Sequence, residues 1–127
     1  MSRPTIEQFE AIEFEPGEFD HEAHIHVAWL YLQRYELLEA INRYRAGLRR
    51  IVKAFGAEGK YHETITWFFM ISIAEQMQGR AAGDWEAFRA GCPELFEREP
   101  GWLRRHYSAE RLASEQARTQ FLLPDVA

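Results

Sequence analysis

An all-α fold is predicted by three observations: apolar residues at helical spacing, capping residues in front of those segments, and the absence of alternating strand patterns. We expect an irregular helical bundle of three main helices plus short C-terminal helices. Residues 1–127 should form a single helical domain, because this length suits one hydrophobic core. Hydrophobic residues are 46% of the chain and aromatic residues 14%, which is enough to fill such a core.

The segment 1–19 is predicted to be an acidic lead-in that docks through its aromatic residues, and 20–127 to be the bundle itself. Phe9, Phe14 and Phe19 alternate with several glutamates in the lead-in. Asp20 then stands at the predicted N-cap of the first main helix, because its carboxylate can accept unpaired backbone N–H groups. This helix should run from His21 to about Gln33.

The second and third main helices have different apolar patterns. The second carries one apolar stripe with residues alternately four and three apart: Leu37, Ile41, Tyr44, Leu48, Ile51 and Phe55. Gly56 should end it. The third, from about Tyr61 to Met77, is apolar nearly all round and is therefore predicted to be the central, most buried helix.

Shorter helices are predicted in the C-terminal third, after a glycine-containing break at 79–83. Asp84 should cap a turn through Phe88, Pro93 should open another, and a turn is expected at 100–101. Ser108 is predicted to cap one last helix that continues to about Thr119.

Charge and composition exclude several classes of partner. The net charge of -5 provides no positive field for nucleic acid or an anionic lipid surface. The longest apolar stretch, about Ile65 to Ala74, is shorter than the roughly 20 residues that cross a bilayer, so no membrane span is predicted. The single Cys92 cannot form an internal disulfide and no secretion signal is recognisable, so we expect a cytoplasmic protein.

Three histidines form the predicted functional site. On the first main helix, the positions of His21 and His24 fall on the apolar side, whereas His26 falls on the opposite side. His62 lies near the start of the third main helix and should share a helical face with Thr66. Because the first and third helices should run roughly parallel, their starts meet, and the three inward imidazoles could converge.

A site of His21, His24 and His62 with an open position suits zinc, copper or iron. Glu63 or Glu22 is a candidate further ligand or base, and Glu63 and Thr66 are the weak candidates for a catalytic role. The zinc-protease motif is excluded, because it needs two residues between its Glu and second His, and only Ala23 separates Glu22 from His24.

Two functions follow from these observations. The first is a metal-binding bundle, including a small metal-dependent enzyme that acts on a small organic substrate through the three histidines. The alternative is a non-catalytic protein that binds a protein partner or forms a homodimer through exposed aromatics such as Trp85, Phe88 and Trp102, with structural histidines. A semi-buried histidine that hydrogen-bonds a backbone carbonyl is the common structural explanation.

Several segments also carry a resemblance. They are the string His21-Glu22-Ala23-His24 followed by Ala28-Trp29, the string from Tyr61 to Thr66, and the stretch from Tyr107 to Asp125. Together they resemble a family of small all-helical bacterial proteins without an assigned activity, over residues 19 to 125. The resemblance implies only that these histidines belong to the pattern. A looser likeness to the histidine-bearing DinB-like metal bundles is one of architecture alone.

Overall fold

Three long helices build the core, as the sequence predicts. The computed structural model describes residues 3–78, 84–97 and 101–126. Within them, α2 (His21–Arg34), α3 (Leu37–Ala54) and α4 (Glu63–Met77) pack against one another. They are preceded by a short helix, α1 (Ile6–Ala11), and no strand occurs in these described ranges. The all-α prediction is confirmed.

The predicted lead-in does dock by its aromatics, but part of it is helical. Phe9 of α1 is completely buried and stacks on Tyr44 of α3, with ring centroids 5.6 Å apart. Gly47 makes this close approach feasible, because a Cβ there would lie 2.2 Å from the Phe9 ring. Thr5 caps α1 by accepting a hydrogen bond from the Gln8 backbone N–H at 3.1 Å.

Helices α2 and α3 follow the sequence closely. The Asp20 carboxylate accepts a hydrogen bond from the Ala23 N–H at 2.9 Å and caps α2 as predicted. In α3 the middle of the apolar stripe is buried, whereas its end residues Leu37 and Phe55 are about 40% exposed, at 42% and 41%. Gly56 follows this helix with a φ of +66°, which a residue without a Cβ adopts at little cost.

Helix α4 begins later than predicted. Tyr61 and His62 precede it, and His62 is the N-cap, with an extended backbone at φ -133° and ψ 110°. The helix is also not buried all round: Thr64, Met70 and Ile73 are completely buried, but Ile71 is 39% exposed. The predicted central position of this helix agrees with its packing against α2, α3 and the last helix of the chain, although not all of its apolar residues are buried.

Short helices follow, as predicted. They are α5 (Trp85–Gly91), a 3-10 turn (Pro93–Phe96), α6 (Gly101–Arg104), α7 (Ala109–Ala113) and α8 (Glu115–Thr119). The single last helix is wrong: Ser114 adopts an extended backbone and its hydroxyl accepts from the Ala117 N–H, which starts a new helix. The expected breaks at 79–83 and at Pro100 lie outside the described residues, and only Gly101 of the second turn is described.

No helix in the part of the chain that the structure describes combines the length and the apolar character needed to span a bilayer.

Candidate functional site

A cavity of about 340 Å³ lies where the starts of α2 and α4 face the middle of α3. Its walls are largely apolar, with Ile25, Leu48, Ile65, Phe69 and Ile73 among the lining residues. Its polar lining side chains are Asp20, His21, His24, Tyr44 and Thr66. We call it the His21–His24 cavity. It brings together two of the three predicted site histidines, and it confirms that the starts of these two helices are close.

His24 is held in place by its own helix start. Its Nδ1 lies 2.8 Å from the backbone oxygen of Asp20, and because a carbonyl only accepts, Nδ1 carries the proton and donates. Its ring stacks on Phe19, with centroids 3.9 Å apart. Burial lowers the pKa of His24, opposed by the hydrogen bond to Asp20 and reinforced by nearby His21. The Nε2 atom has no hydrogen-bond partner among the described residues.

His21 is fixed to a distant part of the chain. Its Nε2 donates to the backbone oxygen of Leu95 at 2.9 Å, which ties the start of α2 to the Pro93–Phe96 turn. Its ring contacts Phe69 edge-on, with centroids 5.5 Å apart. The Nδ1 atom therefore keeps its lone pair in the neutral ring, and the described residues offer it no hydrogen-bond donor.

His62 has a different environment. Its Nδ1 accepts a hydrogen bond from the Ile65 N–H at 3.2 Å, and its Nε2 donates to the backbone oxygen of Leu112 at 2.8 Å. Both ring nitrogens are therefore used within the fold, and His62 does not line the His21–His24 cavity. Its assignment to a helical face shared with Thr66 is wrong, because an N-cap residue does not follow the helical rotation.

The described residues contain no group of three or more His, Cys, Asp or Glu side chains that could hold a metal ion. The geometry thus provides two imidazoles at one cavity instead of the three predicted metal ligands. Imidazole nitrogens can still bind zinc, copper or iron, but further ligands would have to come from water or a bound molecule.

The weaker predicted candidates separate as well. Thr66 lines the cavity, and its hydroxyl donates to the His62 backbone oxygen at 2.9 Å. Glu63 does not line it: its carboxylate accepts from Tyr61 Oη at 2.5 Å and Trp67 Nε1 at 2.9 Å and pairs with Arg45. Burial alone would raise the pKa of Glu63, but these hydrogen bonds outweigh it and the pKa is lowered.

Glu22 is partly buried, and its contacts are with arginines outside the candidate site. Its carboxylate pairs with Arg89 at 3.0 Å and with Arg3 at 3.4 Å, and it does not line the cavity. These two ion pairs account for its position on the first turn of α2.

His26 lies on the side of α2 opposite the cavity, but this side is not exposed as predicted, because α5 covers it. The His26 ring meets Trp85 edge-on at 4.7 Å and stacks against Trp29 at 6.0 Å. Burial, followed by the nearby charge of Arg3, lowers the pKa of His26. A helical wheel for α2 alone cannot indicate that α5, more than 50 residues later in the chain, packs against this side.

The three aromatic residues of the partner-binding alternative are buried or partly buried. Trp85 and Phe88 are 7% and 3% exposed and belong to the core, because α5 packs them over Trp29. Trp102 is partly buried, and its Nε1 donates to Ser72 Oγ at 3.1 Å. Partner binding or homodimer formation stays a prediction, but these three side chains do not supply its surface.

Two residues of the site are not among the predicted site residues. Phe19 belongs to the predicted lead-in, yet its ring stacks on His24, and Tyr44 of the α3 stripe donates to the His24 backbone oxygen at 3.1 Å. The stripe spacing already placed Tyr44 inward, so that signal existed. Nothing in the sequence indicated that the Leu95 carbonyl would hold His21.

Comparison of the chain with protein-family models, curated proteins and solved structures found no match.

Proposed function

We propose that this protein binds a small organic molecule in the His21–His24 cavity, with an apolar body against the aliphatic and aromatic walls and a hydrogen-bond donor directed at an imidazole. One observation carries the proposal: two histidines line one apolar cavity, and each uses only one ring nitrogen for a hydrogen bond to the residues that the structure describes. Apolar cavities with a few polar groups are the usual form of small-molecule sites.

The hydrogen bonds determine the kind of polar group that the ligand needs. In the neutral rings, His21 Nδ1 and His24 Nε2 are acceptors, because the opposite nitrogen of each donates to a carbonyl. The lowered pKa of His24, due first to burial, favours this neutral form. A ligand hydroxyl or N–H group therefore complements the site better than a carboxylate, which would bring a second acceptor.

The volume limits the size of the ligand. A cavity of about 340 Å³ lies at the lower end of the range for small-molecule sites, roughly 300–1,000 Å³. An apolar cavity of roughly 150 Å³ already accepts benzene. One or two fused rings, or an aliphatic chain of comparable volume, would fill this site.

Phenol and toluene test the proposal, because they have nearly the same shape and differ in one donor. We expect titrations followed by the NMR resonances of the cavity residues to give about tenfold tighter binding for phenol, the value of one buried hydrogen bond. In a His24→Ala or His21→Ala variant, the advantage of phenol over toluene should decrease while toluene still binds.

The matched control is His26→Ala, which removes an imidazole from the same helix outside the cavity. It should keep the difference between phenol and toluene. Failure of both compounds to bind at millimolar concentration, or an unchanged phenol advantage in both cavity variants, would refute the proposal.

Metal binding is the second candidate function, supported by the same two unpaired ring nitrogens. We propose His21 and His24 as the protein ligands of zinc, copper or iron, with the remaining positions filled by water or substrate. Elemental mass spectrometry on untagged protein should find near-stoichiometric metal that is lost in a His21→Ala/His24→Ala variant. His62→Ala should retain it, because both nitrogens of His62 are already occupied. A protein that takes up none of the three metals when they are supplied would overturn this candidate.

A further inference from the structure

A second concave site lies between the C-terminal half of α3, the start of α4 and α8. Its volume is about 380 Å³, and it shares no lining residue with the His21–His24 cavity. Its charged lining side chains are Arg45, Arg49, Lys53, Glu58, Glu63 and Arg118. We call it the Arg49–Lys53 cleft.

The cleft is locally positive in a negative protein. Four cationic side chains and two carboxylates leave an excess of two positive charges, whereas the whole chain has a net charge of -5. Arg45, Arg49 and Lys53 follow one another at intervals of four residues, which places like charges next to each other on α3. An anion between these side chains would relieve their mutual repulsion.

The positive charges fall into two groups. Arg45 is paired with Glu63 at 3.0 Å, and Arg118 is paired with Glu115, which lies outside the cleft lining. Arg49 and Lys53 have no ion pair among the residues that the structure describes. These two exposed cations are therefore the ones available to an anionic ligand.

Two arginines of the cleft contact other side chains of its wall. Glu63 is 8% exposed and receives hydrogen bonds from Tyr61 and Trp67 in addition to its ion pair with Arg45, so these contacts restrict the Arg45 side chain. The Arg49 guanidinium carbon lies 5.9 Å from the centre of the Tyr61 ring. A preorganised guanidinium loses less conformational entropy when it binds an oxyanion.

We propose that the Arg49–Lys53 cleft binds the phosphate group of a small molecule. A phosphate monoester carries a charge of roughly -1.5 to -2 at pH 7, which the two exposed cations Arg49 and Lys53 match better than they match a single carboxylate. Arginine donors in a planar fork also suit phosphate oxygens. The cleft is larger than a phosphate ion, so it has room for part of the attached molecule.

Isothermal titration with inorganic phosphate, phenyl phosphate and benzoate at constant ionic strength tests this proposal. We expect phenyl phosphate to bind, and benzoate to bind about tenfold more weakly or not at all. Binding of inorganic phosphate as well would assign the recognition to the ion alone, and binding of phenyl phosphate only would assign it to the ester; either result supports the phosphate site.

The variants compare neighbouring arginines on one helix. Arg49→Gln/Lys53→Gln should weaken phenyl phosphate binding by about tenfold or more. Arg50→Gln removes an exposed charge next to Arg49 but outside the cleft, and should leave binding unchanged. Circular dichroism would confirm that each variant is helical. Absence of phenyl phosphate binding, equal affinity for benzoate, or an equal loss in Arg50→Gln would overturn the proposal.

Discussion

The starts of α2 and α4 lie side by side, and each has a histidine in its first turn or at its cap, but the two regions use these histidines differently. At the start of α2, His21 and His24 each commit one ring nitrogen to a backbone carbonyl. At the start of α4, His62 commits both, one to its own helix and one to Leu112. The comparison shows that a histidine is available for a ligand only when the surrounding chain leaves one of its nitrogens unused.

The difference arises from what covers each helix start. The C-terminal segment crosses the first turn of α4, where the fully buried Thr64 hydroxyl contacts the Ala117 and Gln120 backbone oxygens at 2.7 and 2.6 Å. The same hydroxyl accepts from the Leu122 N–H at 3.1 Å. The start of α2 is instead bordered by the cavity, and its long-range polar contacts run from His21 to Leu95 and from Glu22 to Arg89. The start of α4 is therefore covered by the C-terminal segment, whereas the start of α2 borders a cavity.

The largest expected effect that tests this comparison comes from His62→Ala. It removes the N-cap of α4 and the hydrogen bond to Leu112 together, so the free energy of unfolding should decrease by about 2–3 kcal/mol in chemical denaturation. His62→Asn can still cap the helix but does not reach Leu112, and should lose about half as much. Phenol binding should be unchanged in both folded variants; a loss as large as that in His24→Ala would remove the distinction between the two helix starts.

Thr64→Val should have the next largest effect. Valine keeps the shape but removes the hydroxyl, leaving the buried contacts to Ala117, Gln120 and Leu122 without their partner, at a cost of about 2 kcal/mol. Thr66→Val is the matched control with an expected cost under about 0.5 kcal/mol, because the His62 carbonyl keeps the Thr66 N–H as a donor at 3.1 Å. Equal unfolding energies for the two variants would show that the C-terminal segment is not fastened by Thr64.

The smallest effect concerns pH at the start of α2. Burial lowers the pKa of His24 below its usual 6.5. At pH values between the lowered pKa and 6.5, the unfolded chain therefore binds more protons than the folded one. The free energy of unfolding should therefore be highest above pH 6.5 and decrease as the pH falls below it. His26 acts in the same direction. In His24→Gln the decrease measured between pH 7 and 5 should be smaller, and an unchanged pH profile would contradict the assignment.

Part of the candidate site could be predicted from residues alone. Helical spacing placed His21 and His24 on the inner side of α2, and the parallel run of α2 and α4 brought their starts together. The same reasoning failed for His62, because an N-cap residue does not follow the helical rotation. The His62 ring instead donates to the Leu112 carbonyl of the C-terminal segment. The reasoning also failed for His26 and for Trp85, which face each other across two helices that are far apart in sequence.

The sequence by itself determined the three long helices to within a few residues, because caps and apolar spacing act within one or two turns of the chain. Asp20, Asp84 and Ser108 cap helices where the sequence indicates, and the stripe of α3 faces inward over its central turns. Only the tertiary structure decided which polar atoms are used up. The partners of His21, His62 and Thr64 are backbone carbonyls 50 or more residues away, at separations of 74, 50 and 53 residues. Every residue has such a carbonyl, so the side-chain sequence does not identify which one a histidine or threonine will meet.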